Sequence, residues 1–129
     1  MKLSNPDKQV PILLFTPPPV DEVTWTKFSR KPEANRKNLV TRDYGIRVHD
    51  VARYMNCSVV DTWELLEGSN ATVYSQYLTD GLHLNERGNR VLYQGLMDLI
   101  QTEYPPLAPQ RGGQLHGIPF EEPAWQEYD

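Results

Sequence analysis

The run from Val10 to Thr16 (VPILLFT) is apolar without alternation and ends against Pro17, Pro18 and Pro19. A strand with one wet face alternates, so a short continuous run predicts a strand buried on both faces, as in a parallel sheet. Ser58 to Asp61 (SVVD), extended by Thr62 and Trp63, predicts a second. Between them, from about Pro32 to Met55, Val40, Tyr44, Val48, Val51, Ala52 and Met55 recur at helical spacing and predict a helix with one apolar face. Strand, helix and strand in this order imply a right-handed crossover between parallel neighbours. A last helix is predicted from about Glu86 to Glu103, capped by Asn85 and stopped by Tyr104-Pro105-Pro106. Its inward face is Gly88, Leu92, Gly95, Leu96, Leu99 and Ile100, and the two glycines predict a close approach of helix to sheet. Two parallel strands do not close a sheet, and an apolar strand without a neighbour exposes unpaired backbone groups, so something that should flank them is missing.

Residues 1–104 read as a compact α/β unit and residues 105–129 as a tail. The tail has five Pro and three Gly, and one Arg against Glu121, Glu122, Glu127 and Asp129, which is −3 of the net −4. Such a composition behaves as an extended segment. Leu115, Ile118, Phe120 and Trp125 would favour its docking on the body. With 13 Lys and Arg against 17 Asp and Glu there is no basic stripe for phosphate neutralisation, and no run approaches a membrane span. Nucleic acid and membrane are therefore not expected partners. The single cysteine, Cys57, rules out an internal disulfide framework, and no basic-then-apolar signal opens the chain. A reducing, cytoplasmic setting follows, in which Asn56-Cys57-Ser58 and Asn70-Ala71-Thr72 stay unglycosylated.

The chemistry concentrates in Tyr77-Leu78-Thr79-Asp80-Gly81-Leu82-His83-Leu84-Asn85. An acid three residues before a histidine, in a glycine-containing loop, can fold its carboxylate back onto the imidazole, fixing the tautomer and stabilising the imidazolium. On spacing alone, the preferred reading is the plain one, in which Asp80 caps the turn and His83 is a surface or interface residue.

Three stretches together resemble a known family: ILLFTPPPVDEVTW (residues 12–25), SVVDTW, and YLTDGLHLNERGNRVLY (residues 77–93). They are similar to the SGNH or GDSL-type esterases, most closely the isoamyl acetate-hydrolysing esterase group, and IPFEEPAW (residues 118–125) resembles that group's ending. The resemblance implies a three-layer α/β/α flavodoxin-like fold and hydrolysis of small carboxylic esters without a cofactor. It maps the Asp and His of a Ser-His-Asp triad onto Asp80 and His83. The family's earlier blocks, a Gly-Asp-Ser nucleophile segment, a glycine block and a Gly-x-Asn-Asp oxyanion segment, are not in this sequence. Ser4, Ser29, Ser58, Ser69 and Ser75 all lack a preceding Gly-Asp. The expectation is a partial fold without its N-terminal strands, beginning near the family's fourth strand and inactive alone. An N-terminal fragment would complement it. The alternative is a catalytically dead module that pairs its open sheet edge with another chain, including a second copy.

The remaining candidates read structurally. Cys57, between Met55 and Val59, reads as a small hydrophobe between helix and strand. His49, His83 and His116 stand 34 and 33 residues apart, without zinc-ligand spacing, and His49 reads as decorating the polar side of its helix. Asp61, at the carboxyl end of its strand, reads as a cap for Trp63-Glu64-Leu65. Trp25 and Phe28 either line an acyl or alcohol pocket or anchor a loop. Pro17 to Pro19 stiffen the exit from the first strand.

Overall fold

The computed structural model describes residues 11–33 and 35–108. The docking residues expected in the tail, Leu115, Ile118, Phe120 and Trp125, and His116 lie outside them. Strand β1 (Leu13–Phe15) is followed by helices α1 (Glu22–Ser29) and α2 (Asn38–Met55), then by strand β2 (Ser58–Val60). Short helices α3 (Thr62–Leu65) and α4 (Ala71–Tyr74) come next, then a 3₁₀ turn (Ser75–Tyr77) and helix α5 (Glu86–Glu103). The strands pair in parallel, Leu13 with Ser58, Leu14 with Val59 and Phe15 with Val60. Both predicted strands and their relation are present, although β2 stops before Thr62, where α3 begins.

The chain divides into two compact units at Gly95 and Leu96. In the first, the buried residues include Val20, Ala52, Val60, Leu66, Tyr74 and Leu78, together with Thr16, Ser58, Thr62 and Asp80. The expectation of a β1 buried on both faces is corrected: Leu13 and Leu14 are half-buried and Phe15 is 43% exposed. The physical reason is width, since among the described residues the sheet has two strands and β1 has one neighbour.

Helix α2 packs on both strands, and its inner face also departs from expectation. Of the predicted apolar face only Ala52 is buried; Val48 and Met55 are half-buried, and Val40, Tyr44 and Val51 are exposed. The residues turned inward are Gly45 and Ala52, with Thr41, Val48 and His49 half-buried along the same side. A narrow sheet admits a narrow stripe, and small residues let the helix lie close to it. Val40, Tyr44 and Val48 instead border, with Pro17, an open groove of about 670 Å³.

Local chemistry sets the ends of the elements. Asp21 caps α1 by accepting from the Thr24 N–H, and Asp61 caps α3 by accepting from the Glu64 N–H, which realises the capping role read for Asp61. The α2 helix ends at Asn56 in the left-handed region, with its N–H directed to the carbonyls of Ala52 and Arg53. Asn85 caps α5 as expected, accepting from the Gly88 N–H at 3.0 Å. Its two glycines do mark close approaches, but not to the strands. A Cβ on Gly88 would lie 2.4 Å from the Tyr77 carbonyl oxygen, and one on Gly95 would lie 2.4 Å from Leu65 Cδ1.

In the second unit, α5 continues to Glu103, the Tyr104 N–H bonds the Ile100 carbonyl, and Pro105–Leu107 form a 3₁₀ turn.

Candidate functional site

The segment after Tyr77 folds back on itself. Leu78 and Leu84 form an antiparallel bridge, the Thr79 N–H donates to the His83 carbonyl at 2.8 Å, and the Asn85 N–H donates to the Tyr77 carbonyl at 2.9 Å. These bonds close a tight loop over residues 79–83. Asp80 is the organising residue inside it. Its Oδ1 accepts from the backbone N–H groups of Leu82 (3.0 Å) and His83 (2.9 Å), and its Oδ2 lies 2.7 Å from Nδ1 of the His83 ring. The carboxylate side chain is 9% exposed and the imidazole 70%. An ionised carboxylate only accepts, so Nδ1 carries the proton of the shared bond. Nε2 is then the basic nitrogen of the neutral ring.

The same bonds set the carboxyl's acidity. The backbone N–H of His83, then burial acting in opposition, then the His83 ring and the Leu82 N–H together bring Asp80 down from 3.8 to about 2. Asp80 therefore stays charged at neutral pH.

Gly81 positions the loop in the molecule. Its φ is 91°, and a Cβ there would meet the Trp25 nitrogen at 2.5 Å and the Asp21 carbonyl oxygen at 2.7 Å. The loop thus lies against the first turn of α1, where the Asp21 N–H donates to the Gly81 carbonyl at 2.9 Å. Because α1 follows the proline exit from β1, this contact ties Asp80 and His83 to the segment leaving the carboxyl end of the sheet. Asp21 ties in a further element, since its carboxylate also accepts from the Ser75 hydroxyl at 2.9 Å. Burial raises its pKa, but bonds from Thr24, Ser75 and Val23 outweigh that and hold it low.

Trp25 stands beside His83, the two rings T-shaped with 6.2 Å between centroids, and Phe28 stacks on Trp25 at 5.9 Å. Its indole N–H donates to Asn35 Oδ1 at 2.8 Å, so Trp25 also anchors the segment before α2.

A second acid and histidine meet at the end of β2. Asp61 Oδ2 lies 2.6 Å from His49 Nε2, while Oδ1 accepts from the Thr16 hydroxyl (2.9 Å) and the Glu64 N–H (3.0 Å). His49 therefore does not decorate the polar side of α2; it turns toward the strand because its partner lies there. Cys57 is half-buried just before β2, at the opposite end of that strand from Asp61. Among the described residues no three of His, Cys, Asp and Glu gather as a metal site, and no helix is long and apolar enough to cross a membrane.

No family model matches the chain. The mouse isoamyl acetate-hydrolyzing esterase 1 homolog is 30% identical over 120 residues, 92% of this chain and 43% of the relative. The human protein of that name is 34% identical over 94 residues, covering 71% and 37%. A GDSL esterase/lipase of Arabidopsis thaliana is 26% identical, covering 92% and 48%. The chain spans less than half the length of the curated relatives it matches. Among solved structures, a candidate acylhydrolase of Bacteroides fragilis matches with a TM-score of 0.56 at 20% identity, over 72% of this chain and 43% of that one. The fold is accordingly a partial SGNH-type, flavodoxin-like α/β fold.

Proposed function

Because the chain is homologous, over less than half of their length, to the isoamyl acetate-hydrolysing and GDSL-type esterases, we propose that Asp80 and His83 are the acid and base of a serine ester hydrolase acting on small carboxylic, acetate-type esters. The observation that carries this is the 2.7 Å contact of a buried Asp80 with Nδ1 of an exposed His83. It directs the basic Nε2 outward. In the reaction, Nε2 takes the proton of a serine hydroxyl as the serine oxygen attacks the ester carbonyl. The imidazolium, stabilised by the charged Asp80, then gives that proton to the departing alcohol. Water attacks the acyl-enzyme by the same route and releases the acid. In this reading residues 1–104 carry the hydrolase portion and residues 105–129 are the acidic tail.

The nucleophile is proposed to come from outside this chain. Ser29 donates to the Thr26 carbonyl, Ser75 donates to the Ala71 carbonyl and to Asp21, and Ser58 is buried within β2. Losing the nucleophile removes covalent catalysis, so the chain alone is expected to be inactive and a polypeptide carrying the Gly-Asp-Ser block to complement it. The two-stranded sheet among the described residues, with Phe15 exposed on β1, favours a second reading as a module that pairs with another chain. One experiment addresses both. A fluorophosphonate probe should label no serine in the purified chain, and p-nitrophenyl acetate hydrolysis should appear on adding the complementing polypeptide. Labelling of a serine in the chain alone would contradict its inactivity. A stable complex that never turns over ester would favour the inactive module.

A further inference from the structure

Resting on that reading of His83, we propose that Trp25 and Phe28 form the apolar wall that selects the ester, holding the alkyl arm of a neutral substrate whose carbonyl lies at the imidazole. Three observations carry this. The Trp25 and His83 rings lie T-shaped with 6.2 Å between centroids, so a molecule placed at the imidazole's outer nitrogen extends onto the indole within a few carbon atoms. The wall is seated against backbone: the Trp25 backbone nitrogen is packed against Gly81 with no room for a Cβ. Finally, Phe28 is 63% exposed while stacked on Trp25. No residue of α1 is fully buried, so the two rings stand at the surface of the helix. An apolar surface fixed beside a base and open to solvent suits an alkyl chain, and it disfavours a charged substituent, whose desolvation it cannot repay.

The selection it imposes is by chain length. Apolar contact on one such surface strengthens binding by about two- to fourfold per added methylene until the arm spans both rings. Anchoring of the segment before α2, the other role of Trp25, depends on its N–H and Asn35, and this makes the roles separable.

The test is NMR titration of the intact chain with methyl, propyl and pentyl acetate, following the His83 and Phe28 ring resonances. In the native chain and in Trp25→Phe, which keeps an aromatic face but no indole N–H, affinity should rise with chain length while the His83 ring responds. In Trp25→Ala the dependence should flatten, and in Asn35→Ala it should persist. Chain-length dependence unchanged in Trp25→Ala, with His83 still responding to ester, would overturn the wall and leave the acid-base pair standing. Shifts confined to Phe28, with His83 unmoved by every ester in the native chain, would instead overturn the reading of His83 on which the proposal rests.

Discussion

Among the described residues are two acid–histidine pairs of nearly equal length, 2.7 Å for Asp80 with His83 and 2.6 Å for Asp61 with His49, set in different surroundings. In the first, the carboxylate is buried, three residues from its partner, and it engages Nδ1. The outer nitrogen of this largely exposed ring is then left as the acceptor. In the second, the side chains are 42% and 36% exposed, the partners are twelve residues apart, and the carboxylate takes the outer nitrogen itself. What remains is Nδ1, the nitrogen nearer its own backbone. Asp61 also shares its charge with Thr16 and Glu64. On the proposed reading, contact distance does not separate a base from a brace; the ring nitrogen engaged and the burial of the acid do. Asp80 with His83 presents a proton acceptor, and Asp61 with His49 fastens α2 and the end of β1 to β2.

The difference can be broken from either side. With the complementing polypeptide, His83→Ala should reduce ester turnover by on the order of a million-fold, the scale for loss of a triad base. His49→Ala should leave turnover within about tenfold and lower the urea midpoint instead, by ~1 kcal/mol of stability. Equal losses of turnover would erase the distinction. Asp80→Asn should cost about 10⁴-fold in kcat, because an amide does not hold the productive tautomer. Gly81→Ala should destabilise the fold by about 1–3 kcal/mol in urea unfolding, since the position combines a φ of 91° with backbone 2.5 Å from any added Cβ.

A further effect concerns acid. Asp80 has its pKa depressed from 3.8 to about 2 in the folded chain. Its contribution, about 2 kcal/mol, is present above roughly pH 4 and is lost as pH falls toward 2. Asp61 acts in the same direction: burial raises it, but the Glu64 N–H, the His49 ring and the Thr16 hydroxyl hold it below the usual carboxylate range. Urea melts between pH 5 and pH 2 should therefore show a stability loss that Asp80→Asn makes shallower.

What could be read before any coordinates follows from how local each feature is. Asp80 and His83 are three residues apart, and the bonds that join them lie within a five-residue loop, so the spacing contains most of the geometry. The strands were legible as unbroken apolar runs. Helix α1 was not, because EVTWTKFS buries no residue and so carries no core-facing period; Asp21 three residues before Thr24 was its one signal. The inner face of α2 was misplaced because periodicity weights the large side chains at 40, 44 and 51, whereas a two-stranded sheet receives Gly45 and Ala52. His49 was misread because its partner lies beyond the turn into the next strand, and the contact of Gly81 with α1 joins positions that no local pattern relates.

The central claim is that Asp80 holds the His83 ring so that its outer nitrogen is the base, and ¹⁵N NMR of the ring in the intact chain near neutrality tests it most directly. The account predicts a proton on Nδ1, a lone pair on Nε2, and loss of that tautomer preference in Asp80→Asn. A proton found on Nε2, or a ring indifferent to that substitution, would contradict it.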